Sequence, residues 1–195
     1  NKKRHAIKHF TDQPVDPKDV RTAIEIATLA PSVHNSQPWK FVVVRQKNAE
    51  LAKLAYGTNY DHVMEAPVTI ALFTDTDLQK RARKIARVGG VKNFTDEQLQ
   101  YFMQNLPAEF ARYDAQQTSD YLALNAGLVA MNLVLALTDQ GIGTNIILGF
   151  DKSKINEVLD IEERFRPEVL ITVGYAAEKV EPSYRLPVDE IIDKR

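Results

Sequence analysis

The spacing of apolar positions predicts an ordered series of helices and strands. Apolar residues recur at helical spacing after Asp16 and Pro17, which are favoured residue types for an N-cap and a first helical position. Pro31 ends this helix, because the residue before a proline disfavours helical backbone. Three runs rich in β-branched and aromatic residues predict buried strands. These runs cover residues 39–44, 66–73 and 168–176.

The strongest helical pattern has few polar positions, so it predicts a helix at the centre of the fold. Thr118 or Ser119 is expected to cap its start, and Gly141 is expected to end it in the left-handed conformation. Its longest mostly apolar run, 126–137, is shorter than the about 20 residues that a membrane span needs. The following stretch, GIGTNIILGFD, is expected to be a loop that leads into a helix near Asp151.

The remaining segments complete the expected architecture. Short helices are predicted over 49–56 and 60–65, and a more polar helical excursion over 75–117. The stretch 176–195 is too polar for core and predicts an extended arm. The order of elements predicts one α+β domain over 1–195, with helices packed on a small mixed sheet.

Composition excludes several classes of protein. The 195 residues suit one domain with a substantial core. The net charge of -1, with both signs interspersed, argues against a nucleic-acid binder. The chain has no cysteine, which excludes disulfides, thiolate zinc sites and a cysteine nucleophile. The charged N-terminus has no apolar stretch behind it and predicts no signal peptide, and we expect a cytoplasmic protein.

Common catalytic motifs are missing or incomplete. GIGTNI lacks the third glycine of the dinucleotide fingerprint and follows a helix where the fingerprint requires a strand. The sequence contains no GKS, GKT or GxSxG, and Ser32 is too close to His34 to form a catalytic pair easily. His5 and His9 have i,i+4 spacing but lie in no HExxH motif, so a metal site is not predicted.

Two polar segments have alternative interpretations. The stretch APSVHNSQPW could be a helix stop with a tryptophan that anchors the next strand. It could equally be a ligand loop, because Ser32, Asn35 and Gln37 can hydrogen-bond a heterocycle. The basic stretch KKRHAIKHF and the arginine of PSYRLP could be solvated, or they could converge on one phosphate.

Four segments, taken in order, resemble the FMN-dependent nitroreductase family over nearly the whole chain. KRHAIKHF is similar to the family's basic RRS-x-R/K-x-F signature. APSVHNSQPWKFVVV resembles its APS-xx-N-x-QPW-x-F motif, which is the most specific of the four. TNIILGFD resembles the loop at the flavin edge, and VGYAAEKVEPSYRLPVDEII resembles the closing segment with its late arginine.

The resemblance implies a nitroreductase-like α+β fold, with a small, mainly antiparallel mixed sheet and flanking helices around a long central helix. It implies a homodimer with FMN at both subunit interfaces and a C-terminal tail exchanged between subunits. NADH or NADPH would reduce FMN and leave, and a nitroaromatic, quinone or similar electron-poor acceptor would replace it in a ping-pong reaction. The same fold also admits a dehydrogenase, a dehalogenase, a flavin-cleaving enzyme or a non-enzymatic FMN-binding protein.

The resemblance also implies which residues bind the cofactor. Arg4 and Arg185 would hold the FMN phosphate with His5 beside them, and Lys8 would approach the N1/O2 side of the ring. A cation there stabilises negative charge on the reduced ring. Other contacts would come from two further groups. These are Pro31, Ser32, Val33 and Asn35 of the other subunit, and Asn59, Ile147, Leu148 and Gly149 of the same one.

The residues of these two groups have different implied roles. Asn59 matches an amide at the pyrimidine edge. Leu148 and Gly149 would place backbone N–H groups near flavin N5, where hydride arrives, so no side-chain acid or base is needed. Trp39 is expected to pack in the core rather than touch the cofactor. The aromatic residues of 75–117 would either pack beneath the excursion or shape the choice of acceptor.

Three positions depart from the family pattern. Ala6 stands where serine is frequent, so this cofactor-site position lacks one hydroxyl contact to the phosphate. His62 stands where some members have a lysine near flavin O2, and a titratable group there would make the flavin potential depend on pH. Ser183 replaces a basic residue of some relatives. The sequence contains no recognisable residue for the ribose 2′ position, so it does not choose between NADH and NADPH.

Overall fold

The computed structural model describes residues 2–46, 48–193 and 195, which form helices packed on a four-stranded sheet. The helices in this part of the chain are α1 Pro17–Ala27, α2 Asn48–Ala52, α3 Asn59–Glu65, α4 Leu78–Val91, α5 Asp96–Gln100, α6 Leu106–Phe110, α7 Ala115–Asp139 and α8 Ile155–Leu159. The strands are β1 Trp39–Val44, β2 Val68–Asp75, β3 Gly143–Ile147 and β4 Phe165–Gly174. The α+β class predicted from the sequence is confirmed.

The sheet has the order β1-β2-β4-β3, and each neighbouring pair of strands is antiparallel. Outside these strands, a parallel bridge joins Ala6 to Thr144 of β3. The predicted mixed character of the sheet is therefore limited to this bridge, and the strands themselves pair in one sense.

The central helix α7 has 25 residues and packs against α1 and the sheet. Its cap is Asp114, so the prediction of Thr118 or Ser119 was wrong. The Asp114 carboxylate accepts from the Gln117 backbone N–H, while the Gln117 side chain accepts from the Asp114 N–H. This capping box adds a turn of polar residues that the apolar pattern could not reveal. Gly141 has φ 78°, as expected for the residue after the helix.

By length and composition, α7 could cross a membrane, so its predicted shortness was not a valid argument. Its most apolar stretch is 56% buried, and residues such as Leu122, Leu133 and Leu137 have no exposed surface. We therefore interpret α7 as the core helix that its pattern predicted.

Three strand and loop boundaries differ from the sequence predictions. The stretch predicted as a loop contains the strand β3. The apolar pattern did not reveal this strand, because it is short and includes polar Thr144 and Asn145, which are both buried against β4. The next helix begins at Ile155 instead of near Asp151, whose carboxylate accepts from the Ser153 backbone N–H in a turn. The strand predicted over 66–73 is β2, two residues later, and the strand predicted over 168–176 is β4, which begins earlier.

The helical excursion is shorter than predicted, because Asp75 ends β2 and Ala115 begins α7. It contains α4, α5 and α6, together with a π-helical turn at Tyr101–Asn105. Its aromatic residues form a separate cluster around Phe110 and Tyr121. After Gly174 the chain has no long element among the described residues, and its side chains are mostly exposed.

Candidate functional site

The basic N-terminal segment is ordered along the β3 edge of the sheet. Ile7 donates from its backbone N–H to the Thr144 carbonyl at 2.9 Å, beside the Ala6–Thr144 bridge. The backbone of Phe10 also bridges to Ala176 beyond β4. These contacts hold the residues that are predicted to bind the FMN phosphate and ring at one edge of the sheet. Arg4 and His5 are half-buried there, and Ala6 and Lys8 are exposed.

A second segment meets the loop that follows β3. The Gly149 carbonyl accepts from the Tyr56 backbone N–H at 2.9 Å and from the Asn59 side-chain amide at 3.3 Å. The next residues extend this pairing through a bridge between Ala55 and Phe150. Asn59, the predicted amide at the pyrimidine edge of the flavin, is therefore in direct contact with Gly149 of the loop predicted to lie near flavin N5.

The loop after β3 has the form of a ligand cradle. Ile147 is buried and pairs with β4, whereas Leu148 is 67% exposed. A Cβ on Gly149 would lie 2.9 Å from the Asn59 amide nitrogen, so a larger residue there would displace that amide. Within the described residues, the backbone N–H of Gly149 donates no hydrogen bond and is available to a ligand.

His62 lies one turn after Asn59 on α3 and is 7% exposed. Its Nδ1 atom is fully buried and has no hydrogen-bond partner. Burial lowers the pKa of His62, and the nearby cations Lys8 and His9 lower it further, against a smaller opposing effect of Glu65 and Asp61. The imidazole of His62 therefore favours its neutral form. It lies close to Lys8, which is predicted to contact the flavin ring.

His9 is protonated more readily than its neighbour His62. Its Nδ1 lies 2.9 Å from a Glu65 carboxylate oxygen, and this hydrogen bond raises the pKa of His9. The His9 and His62 ring centroids are 6.1 Å apart, edge to face. A protonated His9 therefore opposes protonation of His62.

The fold thus brings together the three predicted segments 4–8, 59–62 and 147–149. They offer an unpaired buried nitrogen, a glycine cradle and an adjacent cation. This donor set fits a planar heterocycle with polar edges, such as the flavin ring.

The junction that follows α1 forms a second, separately built wall. A 3₁₀ turn covers Val33–Asn35, and three non-glycine residues have left-handed backbone. Their φ angles are 54° at His34, 50° at Asn35 and 45° at Gln37. Such conformations are costly and persist where the surroundings determine them, which occurs often at functional sites.

Two polar residues of α7 hold this junction. The Asn125 side chain accepts from the Val33 backbone N–H at 2.9 Å and donates to the Tyr121 carbonyl at 2.7 Å. The Tyr121 hydroxyl donates to the Val33 carbonyl at 2.7 Å and lies equally close to the Ser36 hydroxyl. Burial raises the pKa of Tyr121 to about 12, so this donor stays protonated. Our sequence analysis missed both residues, although a polar asparagine in an apolar helix was the available signal.

The remaining predicted contacts do not converge within one chain. Among the described residues, no hydrogen bond or ion pair joins the junction to Asn59 or Gly149, or Arg185 to Arg4. Within the described part of the chain, Arg185 donates only to carbonyls of its own arm. The roles assigned to Arg185 and to Pro31, Ser32, Val33 and Asn35 stay predictions.

An apolar face of α7 borders the same loop. Leu124 and Met131 are 56% and 40% exposed, and a Cβ on Gly127 would meet no atom within 4 Å. A cavity of about 850 Å³ lies on this face and extends to Leu148 and to Arg166 of β4. Exposed apolar patches of this kind often mark sites that bind another protein or a ligand.

Comparison with known proteins places these features in a family. The model of the nitroreductase family matches residues 2–175. A protein of Streptococcus pyogenes, provisionally named as an NAD(P)H nitroreductase, is 65% identical over 195 residues, covering 100% of this chain and 97% of that protein.

Two crystal structures have the same fold. A nitroreductase family protein of Streptococcus pneumoniae is 85% identical with a TM-score of 0.97, covering 100% of this chain and 98% of its own. A protein of Exiguobacterium sibiricum in complex with FMN, provisionally named as a nitroreductase, is 29% identical with a TM-score of 0.89. Its alignment covers 100% of this chain and 94% of that one.

Proposed function

This chain belongs to the nitroreductase family, and from that premise we propose that it is an FMN-dependent oxidoreductase. It takes electrons from NADH or NADPH and delivers them to small electron-poor acceptors such as nitroaromatics or quinones. The observation that supports this most strongly is the meeting of Asn59, Gly149 and the Lys8–His62 pair at one edge of the sheet. The FMN complex of the Exiguobacterium relative supports the choice of cofactor.

FMN, when bound, supplies the two-electron relay between donor and acceptor. The Asn59 amide binds the pyrimidine edge of the ring, and Leu148 and Gly149 offer backbone N–H groups to N5. Lys8 places a positive charge at the N1/O2 side, which favours the electron-rich form of the ring by preorganised electrostatics. Because these residues bind and orient, the reaction needs no catalytic triad.

The phosphate end is assigned to the N-terminal segment and the arm. Arg4 is half-buried beside the ordered edge of the sheet, and its planar guanidinium suits a phosphate. His5 lies next to it, and Ala6 offers no hydroxyl. Arg185 completes this site from the exposed arm.

The functional unit in this proposal is a homodimer. One chain supplies the Asn59–Gly149 wall, and the partner supplies the wall formed by Pro31, Ser32, Val33 and Asn35. The exposed apolar stripe of α7 gives a second copy a surface to bury, and a symmetric dimer buries the same stripe twice. The arm contains exposed Leu186 and Ile191, at 56% and 67%, which suits a tail that packs on the partner. We assign the enzyme to the cytoplasm with its dinucleotide donor.

The test is a visible absorption spectrum of the purified protein before and after addition of NADPH or NADH without oxygen. A flavin band that bleaches supports the proposal, and the faster donor identifies the physiological one. A band that stays would contradict nicotinamide-dependent chemistry. No band after incubation with FMN would contradict the cofactor assignment itself.

A further inference from the structure

Helix α4 and the residue that follows it carry a concentrated positive charge. The stretch 78–92 has six cations and no acid, whereas the whole chain has a net charge of -1. These cations are Lys80, Arg81, Arg83, Lys84, Arg87 and Lys92. In the described part of the chain none of them forms a salt bridge, so their charge is available to a ligand.

A cavity of about 510 Å³ separates one face of α4 from the junction. Asn35 and Gln37 line its junction end, and Lys84 and Lys92 line its α4 side. This volume lies in the range of small-molecule sites. The groove between α4 and the junction therefore combines amide groups with two uncompensated charges.

Arg81 fixes the groove in place. Its guanidinium donates to the Ser36 carbonyl at 3.2 Å and also to the Gln37 carbonyl. These bonds tie α4 to the junction, whose conformation is already determined by α7. Since Arg81 is engaged in this way, Lys84 and Lys92 are the free cations of the groove.

The end of the groove is aromatic. The Phe94 ring lies against Gly89, where an added Cβ would come within 2.2 Å of it, and it stacks on Phe102 with centroids 5.4 Å apart. Val88 adds apolar surface beside it. A flat apolar wall next to two lysines is suited to a nucleotide, because the base can stack while a phosphate on its ribose meets the cations.

We infer that this groove binds the adenosine-phosphate end of the nicotinamide dinucleotide, and that Lys84 and Lys92 select the 2′-phosphate of NADPH. The inference rests on the proposed function, which puts Asn35 at the flavin and so places the groove next to the electron-transfer site. A dinucleotide with its nicotinamide at the ring can then extend its adenosine end along α4, with the 2′-position facing the two lysines. The enzyme should accordingly prefer NADPH to NADH.

The test compares two double variants by steady-state kinetics with each donor. Lys84→Gln with Lys92→Gln removes the groove cations, and Arg83→Gln with Arg87→Gln removes two exposed cations of α4 that do not line the cavity. The groove variant should lose about tenfold in kcat/KM for NADPH through KM, because charge-assisted contacts to phosphate are lost. Its NADH kinetics and the control variant should stay within about twofold of the wild type. Equal losses for both donors, or equal effects of the two variants, would overturn the assignment.

A second measurement reads the groove without electron transfer. Adenosine 2′,5′-bisphosphate is titrated into each purified FMN-loaded protein by calorimetry. Weaker binding by the groove variant alone supports the inference, and unchanged binding overturns it. A protein that takes up no FMN but binds this nucleotide through Lys84 and Lys92 would contradict the proposed function and leave the groove assignment standing.

Discussion

The Asn59 side-chain amide donates to the Gly149 carbonyl at 3.3 Å, and this bond joins the start of α3 to the loop after β3. The same carbonyl accepts from the Tyr56 backbone N–H, so two donors orient one peptide group. That orientation leaves the Gly149 N–H without a partner among the described residues. In the proposed site, the same arrangement would hold a side-chain amide and a backbone donor against one flavin ring.

Replacing Gly149 with alanine should weaken FMN binding. The new methyl group would lie 2.9 Å from the Asn59 amide nitrogen, so that amide would have to leave its place. We expect the dissociation constant for FMN to rise about tenfold, the equivalent of one lost polar contact. The measurement is a titration of apoprotein with FMN, followed by flavin fluorescence.

The matched control is Gly90→Ala. Gly90 is an exposed helical glycine whose added Cβ would be 3.3 Å from the end of the Leu99 side chain. Its FMN affinity should equal that of the wild type. If Gly149→Ala also bound FMN normally, the cradle assigned to this loop would be wrong.

Replacing Asn125 with alanine should destabilise the protein and loosen the junction. The side chain is fully buried and bonds both the Val33 N–H and the Tyr121 carbonyl. Leaving those buried groups unpaired should lower the free energy of unfolding by about 1–3 kcal/mol. Urea unfolding monitored by circular dichroism measures this change.

Asn132→Ala serves as the control on the same helix. Asn132 is only half-buried and forms no side-chain hydrogen bond within the described residues. Its substitution should change the free energy of unfolding by less than about 0.5 kcal/mol. Equal effects of the two substitutions would mean that the bond to Val33 contributes nothing special.

Much of the framework followed from local patterns. Residues 39–44 form β1 as predicted, because a continuous β-branched run leaves few alternatives. The Asp16 carboxylate accepts from the Lys18 backbone N–H at 2.8 Å and caps α1, as its residue type favours. Trp39 packs in the main core, in agreement with its expected role.

What the sequence left undetermined depends on contacts between distant residues. β3 is a strand because β4 lies beside it, and no periodicity in its five residues reveals that partner. The Asn125–Val33 bond spans the chain from the central helix to the junction, so spacing alone could not predict it. The residues expected to reach FMN from a second subunit do not meet the Asn59–Gly149 segment within one chain.

His62 and His9 should make the free energy of unfolding depend on pH in opposite directions. The pKa of His62 in the folded chain is lowered from 6.5. On acidification the unfolded chain therefore binds a proton at this histidine at a higher pH than the folded chain does. The free energy of unfolding therefore falls at low pH, and His62→Gln should reduce that fall. The pKa of His9 is raised, so its contribution is present at low pH and is lost as the pH rises through its folded value.

The measurement is urea unfolding at intervals between about pH 5 and pH 8, where both rings change charge. His9→Gln is the internal control, because it should steepen the loss of stability on acidification while His62→Gln should flatten it. Parallel curves for the two variants would contradict the assignment of a neutral His62 beside a protonated His9.

The same histidine should couple the flavin potential to pH. In the proposed site His62 would face the flavin ring where some relatives carry a lysine, so its protonation on acidification should raise the potential beyond the flavin's own proton dependence. Burial lowers the pKa of His62 most, Lys8 and His9 lower it further, and Glu65 and Asp61 oppose this, so protonation occurs below the usual histidine range. Redox titration of the FMN-loaded protein across this pH range measures the effect. An unchanged pH dependence in His62→Gln would show that the histidine does not influence the ring.

Placing a charge on the apolar face of α7 should separate the proposed dimer. Met131 is 40% exposed beside the cavity on that face, and a buried glutamate there would be unpaired at the interface. Met131→Glu should sediment as a monomer of 22.0 kDa and should bind FMN weakly, because each site then lacks the partner's junction. Ile26→Glu is the control, since Ile26 is 44% exposed on α1 and does not line that cavity. A Met131→Glu protein that remained dimeric with full FMN would mean that subunits meet elsewhere, and a monomeric wild type that binds FMN would mean that one chain completes the site.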